Sequence, residues 1–187
     1  MKARLPLKQA EAIAKAIVDI YAPACERIEI AGSIRRQCEM VGDIEIVAIA
    51  KPILNLFGEP TDETELDAML RDEGQEPSKN GPKYKQMQVL VKGDEMQLDL
   101  FLAEPCNWGY ILMLRTGSAR FSQRMVQDRR LPGGLRPPGL RCRDGYVWRA
   151  KYWDGEAPHP AETICVPDEE TLFELWGMDF IPPAKRA

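Results

Sequence analysis

The chain has one histidine, His159, and no pair of cysteines in C-x-x-C spacing. Its five cysteines, Cys25, Cys38, Cys106, Cys142 and Cys165, are odd in number and widely scattered. A zinc ribbon and a disulfide framework are therefore not expected, and a reducing intracellular compartment is the default, cytoplasmic in a prokaryote or virus. With so few soft ligands, any catalytic metal falls to carboxylates, which suit Mg²⁺, Mn²⁺ or Ca²⁺. No run approaches the 18 or so apolar residues of a membrane-spanning helix. The first residues, MKARLPLKQAEAIAK, are charged throughout and lack the apolar core of a secretory signal.

The 187 residues are enough for one large domain or two small ones. Hydrophobic residues at 44% and charged residues at 29% describe an ordinary globular chain. The net charge of −4 conceals a segregation. Residues 115–151 hold ten Lys and Arg against two acids, leaving 15 basic and 27 acidic residues elsewhere. That block is mostly arginine and includes Phe121, Tyr146 and Trp148, the usual make-up of a surface that meets phosphates and bases. A solvated basic face is the other reading.

Apolar spacing predicts a helix over 7–22, ended by Pro23. Alternation predicts strands over 27–31 and 43–50, with a helical turn after Gly32-Ser33. A helix over 62–70 follows from a capping box at Asp62 and Glu65. Residues 74–82 read as loop. Strands over 87–91 and 96–103 join at a tight turn around Gly93-Asp94. Ser118 reads as the N-cap of a helix to about Arg130, and short strands are expected around 146–152. A last helix over 168–176 has Gly177 past its end. The fold class is α+β: a unit over 1–105 with a mixed sheet and flanking helices, then a smaller α+β unit over 106–187.

Asp43 and Glu45 stand two apart on one strand, so they share a face, with Ile44 and Ile46 on the other. Asp99 alternates in the same way with Leu98 and Leu100. If the two strands are neighbours, three carboxylates meet and repel, and a divalent cation reverses that cost. Two such ions would serve phosphoryl transfer. A solvated strand face is the other reading of Asp43 and Glu45. Gly32-Ser33, at a strand end before a helical turn, allows close approach of a phosphate, although Gly-Ser is also a common turn.

The run AGSIRRQCEMVGDIEIV resembles the palm signature of the family X DNA polymerases, the polymerase beta-like nucleotidyltransferases. Gly32, Ser33, Arg35, Arg36, Gly42, Asp43 and Glu45 carry it. QLDLF, around Asp99, is similar to the strand with the family's third catalytic aspartate. RTGSARFSQRM is similar to the segment where the nucleotide's sugar and base pack, and FELWGMDFIPPAKR to the end of the thumb.

The resemblance implies a nucleotidyltransferase palm followed by a thumb. Asp43, Glu45 and Asp99 would hold two Mg²⁺ ions, with Mn²⁺ as a substitute. Ser33 and Arg36 would hold the nucleotide's phosphates, helped by Gly32 and Gly42. Arg115, Thr116, Gly117, Ser118 and Ser122 would border the nucleotide. Lys83, Arg124, Arg129, Arg130 and Arg141 would meet DNA. The implied activity is templated addition of dNMP to a primer 3′-hydroxyl, in gap-filling DNA repair, by a monomer that uses dNTP and primer-template or gapped DNA and no membrane. A template-independent nucleotidyltransferase acting on nucleic-acid ends or another acceptor is the alternative, and a non-catalytic nucleic-acid-binding module the third reading. The chain departs from the pattern in having glutamate at 45, Leu114-Arg115 before Thr116-Gly117, and Ser122 and Val126 in the thumb. An amino-terminal lyase or fingers module before residue 7 is not expected.

Overall fold

A computed structural model describes residues 4–91, 94–149 and 163–187. The chain divides into two compact units, one ending at Ala103 and the other running from Glu104 to Ala187. The expected turn at Gly93, and Lys151, Tyr152, Trp153 and His159, lie outside the described residues.

The first unit opens with β1 (Leu5–Pro6) and α1 (Leu7–Tyr21). The buried residues of α1, Ala10, Ala14, Ile17 and Tyr21, recur every three or four positions, which makes one face of a helix. Then come β2 (Cys25–Ile30), the short α2 (Gly32–Arg35), β3 (Met40–Val41) and β4 (Asp43–Ala50). A ribbon of β5 (Pro52–Leu54) and β6 (Pro60–Thr64) leads into α3 (Glu65–Asp72). The unit closes with β7 (Lys79–Gly81), β8 (Tyr84–Val91) and β9 (Asp94–Leu102).

Five strands form one mixed sheet in the order β2-β4-β9-β8-β7. β4 and β9 are parallel neighbours, and the other pairs are antiparallel. One face carries Ile44, Ile46, Met87, Leu98 and Leu100, all buried in a core shared with α1 and α3. Lys85 lies on that same face and is 3% exposed. Its charge is met by Asp67 of α3, and its Nζ donates to Asn80 Oδ1 at 2.5 Å. A buried ammonium group is tolerable only with such partners.

The second unit contains α4 (Trp108–Thr116), α5 (Ala119–Val126), β10 (Leu140–Arg143), β11 (Tyr146–Arg149), β12 (Thr163–Ile164) and α6 (Glu169–Trp176). The strands make an antiparallel sheet in that order. Tyr110, Met113, Phe121, Met125, Phe173 and Trp176 form its core. α4 packs tightly on the approach to α6, because a Cβ on Gly109 would fall 1.9 Å from the Asp168 carbonyl oxygen. Arg186, fully buried, pairs with Glu169 and lies against Phe173 and Phe180.

Several sequence expectations need correction. Cys106 and Cys165 form a disulfide, whereas Cys25, Cys38 and Cys142 are free. The capping box of α3 is Thr64 with Asp67, not Asp62 with Glu65. Residues 79–81 are a strand, and the helix after Ser118 stops at Val126. Phe121 and Trp148 are 6% and 5% exposed, so these aromatics of the basic block serve packing.

Candidate active site

The parallel pairing of β4 with β9 decides the geometry. Asp43 stands beside Gln97, and Glu45 stands beside Asp99. Residues in register share a sheet face, so Asp43, Glu45, Gln97 and Asp99 stand together opposite the apolar core face. Ile44, Ile46, Leu98 and Leu100, fully buried on the other side, fix this orientation, since a slip of one residue would bury the carboxylates.

Asp99 is 7% exposed and well supplied with donors. Its Oδ1 accepts from the Tyr84 hydroxyl at 2.5 Å and from Gln86 Nε2 at 2.9 Å. Its Oδ2 accepts from Gln97 Nε2 at 2.7 Å. A carboxylate offers about four lone-pair positions. Oδ1 is therefore filled, and Oδ2 retains one position. Sequence reasoning missed Tyr84, Gln86 and Gln97. The signal for Gln97 is its place two residues before Asp99. The signal for Gln86 is the β8–β9 register, which sets it directly opposite Asp99.

Glu45 takes a different course. A Cβ on Gly32 would fall 2.0 Å from Glu45 Oε2, so the carboxylate fills the space that glycine leaves open. Gly32 has φ +60°, a left-handed conformation that favours glycine. The extra methylene of glutamate carries its carboxylate to the Gly32-Ser33 turn. Ser33 Oγ, in the same turn, is buried with no hydrogen-bond partner. Arg36 and Gly42 are half-buried on either side of the chain's return to β4.

The donors are all hard oxygens, which suits Mg²⁺ or Mn²⁺, and Asp43 with the remaining position on Asp99 Oδ2 matches that chemistry. Among the described residues, however, no three of His, Cys, Asp and Glu converge on one point as a metal-holding group. Glu45 is turned toward Gly32.

Within the second unit, Thr116 is buried and Arg115 is exposed in the last turn of α4. Ser118 caps α5, its Oγ accepting from Phe121 N at 3.1 Å, and its own N–H donates to the Arg186 carbonyl at 2.9 Å. Ser122 Oγ donates to the Leu114 carbonyl at 2.8 Å. A Cβ on Gly117 would meet Phe121 Cδ1 at 2.5 Å, so only glycine lets this turn close on the ring.

The residues expected at DNA fall into separate settings. Lys83, in the first unit, is exposed. Arg124 Nε donates to the Gly133 carbonyl at 2.9 Å, and Arg129 Nη2 to the Trp176 carbonyl at 2.6 Å. These two arginines hold the fold of their own unit. Arg130 and Arg141 instead line a cavity.

No protein-family model matches the sequence. No curated protein matches it either. Two solved structures are similar in fold across almost the whole chain, both of polymerase beta from Leishmania infantum. A ternary primer/template complex aligns with TM-score 0.75 and 16% identity, over 99% of this chain and 77% of the other. A ternary gap complex aligns with TM-score 0.74 and 16% identity, over 98% and 71%. The chain has a polymerase beta-like fold, of mixed α+β type with a mixed sheet and helices.

Proposed function

We propose that the chain is a nucleotidyltransferase that adds dNMP to a DNA primer 3′-hydroxyl under the direction of a template, with gap filling in DNA repair as its setting. The observation that carries this reading is the register of β4 and β9, which sets Asp43, Glu45 and Asp99 on one sheet face opposite the core. The two solved structures described above are complexes of a polymerase with primer/template and with gapped DNA, which supports DNA as the partner. In this reading the first unit is the palm and the second the thumb, and the protein acts as a monomer.

Asp43 and Asp99 would hold divalent cations, Mg²⁺ or Mn²⁺, with Glu45 joining them once its carboxylate leaves Gly32. Bound cations would supply activation of the attacking hydroxyl and neutralisation of charge on the phosphates. The chain's own residues do the positioning. Tyr84 and Gln86 hold Asp99 Oδ1, which leaves Oδ2 as the oxygen turned to that work. Departure of Glu45 from Gly32 would clear the turn for a nucleotide phosphate, and Ser33 Oγ would then gain a partner. Arg36 would add charge there. Thr116, Gly117, Ser118, Ser122 and Arg115 would border the nucleotide.

A template-independent nucleotidyltransferase is the second reading, favoured by Arg115 and Ser122 where a close fit to a base pair would use other side chains. One extension assay tests both: a primer offered alone, on an open template and in a one-nucleotide gap. Incorporation set by the template, and abolished in a folded Asp99→Ala variant, is the expected outcome. Extension of the primer alone would select the second reading. Undiminished incorporation by Asp99→Ala would overturn both.

A further inference from the structure

The segment FELWGMDFIPPAKR begins inside α6 and ends at Arg186. Gly177, with φ +65°, stops the helix and turns the chain back, so that Met178 N–H donates to the Phe173 carbonyl at 3.0 Å. Phe180 then packs edge-on against Phe173, with ring centroids 5.3 Å apart. A 3₁₀ turn, Pro183–Lys185, delivers Arg186 to the interior of the second unit. Arg186 is fully buried, which is rare for a guanidinium group.

The guanidinium group is held on several sides. It pairs with Glu169 in the first turn of α6, and its Nε donates to the Ile181 carbonyl at 2.7 Å. Its centre lies 5.2 Å from the ring centroids of both Phe173 and Phe180, and 5.9 Å from that of Phe121. Such contacts attract a cation to a ring face. Nη2 is nevertheless buried with no hydrogen-bond partner. An ion pair in this position is a poor source of stability, because well-packed apolar side chains of similar volume often do as well or better. What the planar fork and its partner add is direction. They fix the side chain, and with it the main chain of Arg186, in one orientation.

That main chain reaches the turn between α4 and α5. The Arg186 carbonyl accepts the Ser118 N–H at 2.9 Å. Ser118 caps α5 with its side chain, but its own N–H needs an acceptor from elsewhere. In a capping box the third helical residue supplies one. Here that residue is Phe121, whose side chain has no acceptor, and Arg186 takes its place. The Phe121 ring that would meet a Cβ on Gly117 at 2.5 Å also lies against the Arg186 guanidinium. The carbonyl and side chain of one residue therefore hold both the N–H and the ring that shape Gly117-Ser118.

We infer that Arg186 is a positioning residue for the nucleotide, acting through the turn Thr116-Gly117-Ser118, which rests on the reading that these residues border a nucleotide. Being fully buried, Arg186 does not itself touch the nucleotide. Its carbonyl fixes where the start of α5 stands, and its guanidinium fixes the carbonyl. Loosening either lets the turn drift, and small displacements of a positioning surface are costly to a bound reactant.

The test compares Arg186→Lys with Leu140→Ala, which loosens the core of the same unit from β10 instead. Lysine keeps the charge but has no fork to serve Glu169 and the Ile181 carbonyl together. Both variants are assayed at a temperature where melts show them folded. Hydrogen exchange at the Ser118 amide reads the anchor. Incorporation into a one-nucleotide gap, with kcat and KM for dNTP separated, reads the site. In Arg186→Lys the amide should exchange about tenfold faster and KM should rise about tenfold, the scale of one hydrogen bond. Its kcat and its affinity for the gapped DNA should stay at wild-type values. Leu140→Ala should melt earlier and keep the wild-type KM. Unchanged KM in folded Arg186→Lys, even with faster exchange, would make the residue purely structural and overturn the proposal, as would an equal rise in Leu140→Ala. If Arg186→Lys does not fold, Arg186→Met/Glu169→Met removes both charges, stays close in volume and carries the same expectations. Absence of incorporation by the wild-type protein would reject the catalytic reading alone. Equilibrium binding of a fluorescent dNTP then decides the role of Arg186, with about tenfold weakening expected in the variant and equal affinity overturning it.

Discussion

A single side chain can hold the first unit's layers together. Lys85 projects from the sheet into the helix-covered face and meets Asp67 there. Burial works to raise the Asp67 carboxyl, but hydrogen bonds from Lys85 and Thr64 outweigh it and hold the group below its ordinary value of 3.8. The stability this contributes is fully present above that ordinary value and is lost as pH falls through the lower, folded one. Lys85→Met should cost about 3 kcal/mol, the lower end of the range for breaking a buried pair, because water reaches part of Asp67. It should also flatten the acid limb of a stability profile measured by denaturant melts across pH. A variant with wild-type stability and an unchanged acid limb would show that the pair contributes nothing. Gly32 is a second such position. Alanine there would cost about 1–2 kcal/mol for the left-handed backbone and would push Glu45 out of its place. Gly32→Ala should therefore lower the melting temperature, and it should lower the rate of incorporation because the new methyl group fills the space through which a nucleotide phosphate would approach the turn. Full activity in that variant would mean that no phosphate approaches Gly32.

Elements depend on restraints of longer reach. The Cys106–Cys165 disulfide spans 59 residues and lies beside two backbone hydrogen bonds, Val166 N to the Cys106 carbonyl and Gly109 N to the Val166 carbonyl. It ties the start of α4 to the approach of α6. Closing a loop of that length should be worth about 4 kcal/mol by chain entropy. Cys106→Ser/Cys165→Ser should unfold at lower denaturant, reductant should bring wild type to the same midpoint, and the variant should ignore reductant. Matching midpoints for oxidised wild type and variant would reject this. The bond is not legible in the sequence, because pairing among five scattered cysteines is fixed only by the fold. What is legible follows local rules. β4 and β9 are visible as alternating runs, and Gly177 after α6 takes the left-handed φ of +65° expected past a helix end. The β5–β6 ribbon is hidden because Pro52 and Pro60 read as strand stops, yet a two-stranded edge ribbon tolerates proline. Taking Asp62 to Thr64 into that ribbon shifts the cap of α3 by two residues. α5 stops early because Asp128 Oδ1 accepts the Arg130 N–H at 2.9 Å, a local bond that competes with helix. Of the candidate site, the three carboxylates can be read from alternation. The donors on Asp99 and the turn of Glu45 toward Gly32 need the register of β8 and the space beside a glycine.

The whole molecule separates charge along its length. Its net charge of −4 would repel a polyanion, yet residues 115–151 alone carry a balance of +8. At physiological salt a charge is screened beyond about 8 Å, so a strand bound at the basic segment is little affected by distant acids. Binding by a chain of this kind should be local and electrostatic. Among the described residues, Phe121 and Trp148 are buried, which removes two candidate stacking platforms and puts more of the affinity on arginine. Contact with about four phosphates would give a slope near −3.6 in log K against log salt. Affinity for duplex DNA should then fall on the order of 100-fold between 50 and 200 mM salt. The measurement is a salt titration of binding to a duplex without a primer end, which keeps the catalytic face out of the comparison. A slope close to zero would mean that stacking or base contacts dominate and that the segregated charge serves solubility instead. A slope much steeper than −3.6 or so would call for further phosphate contacts, with exposed Lys83 and Arg120 the first residues to replace.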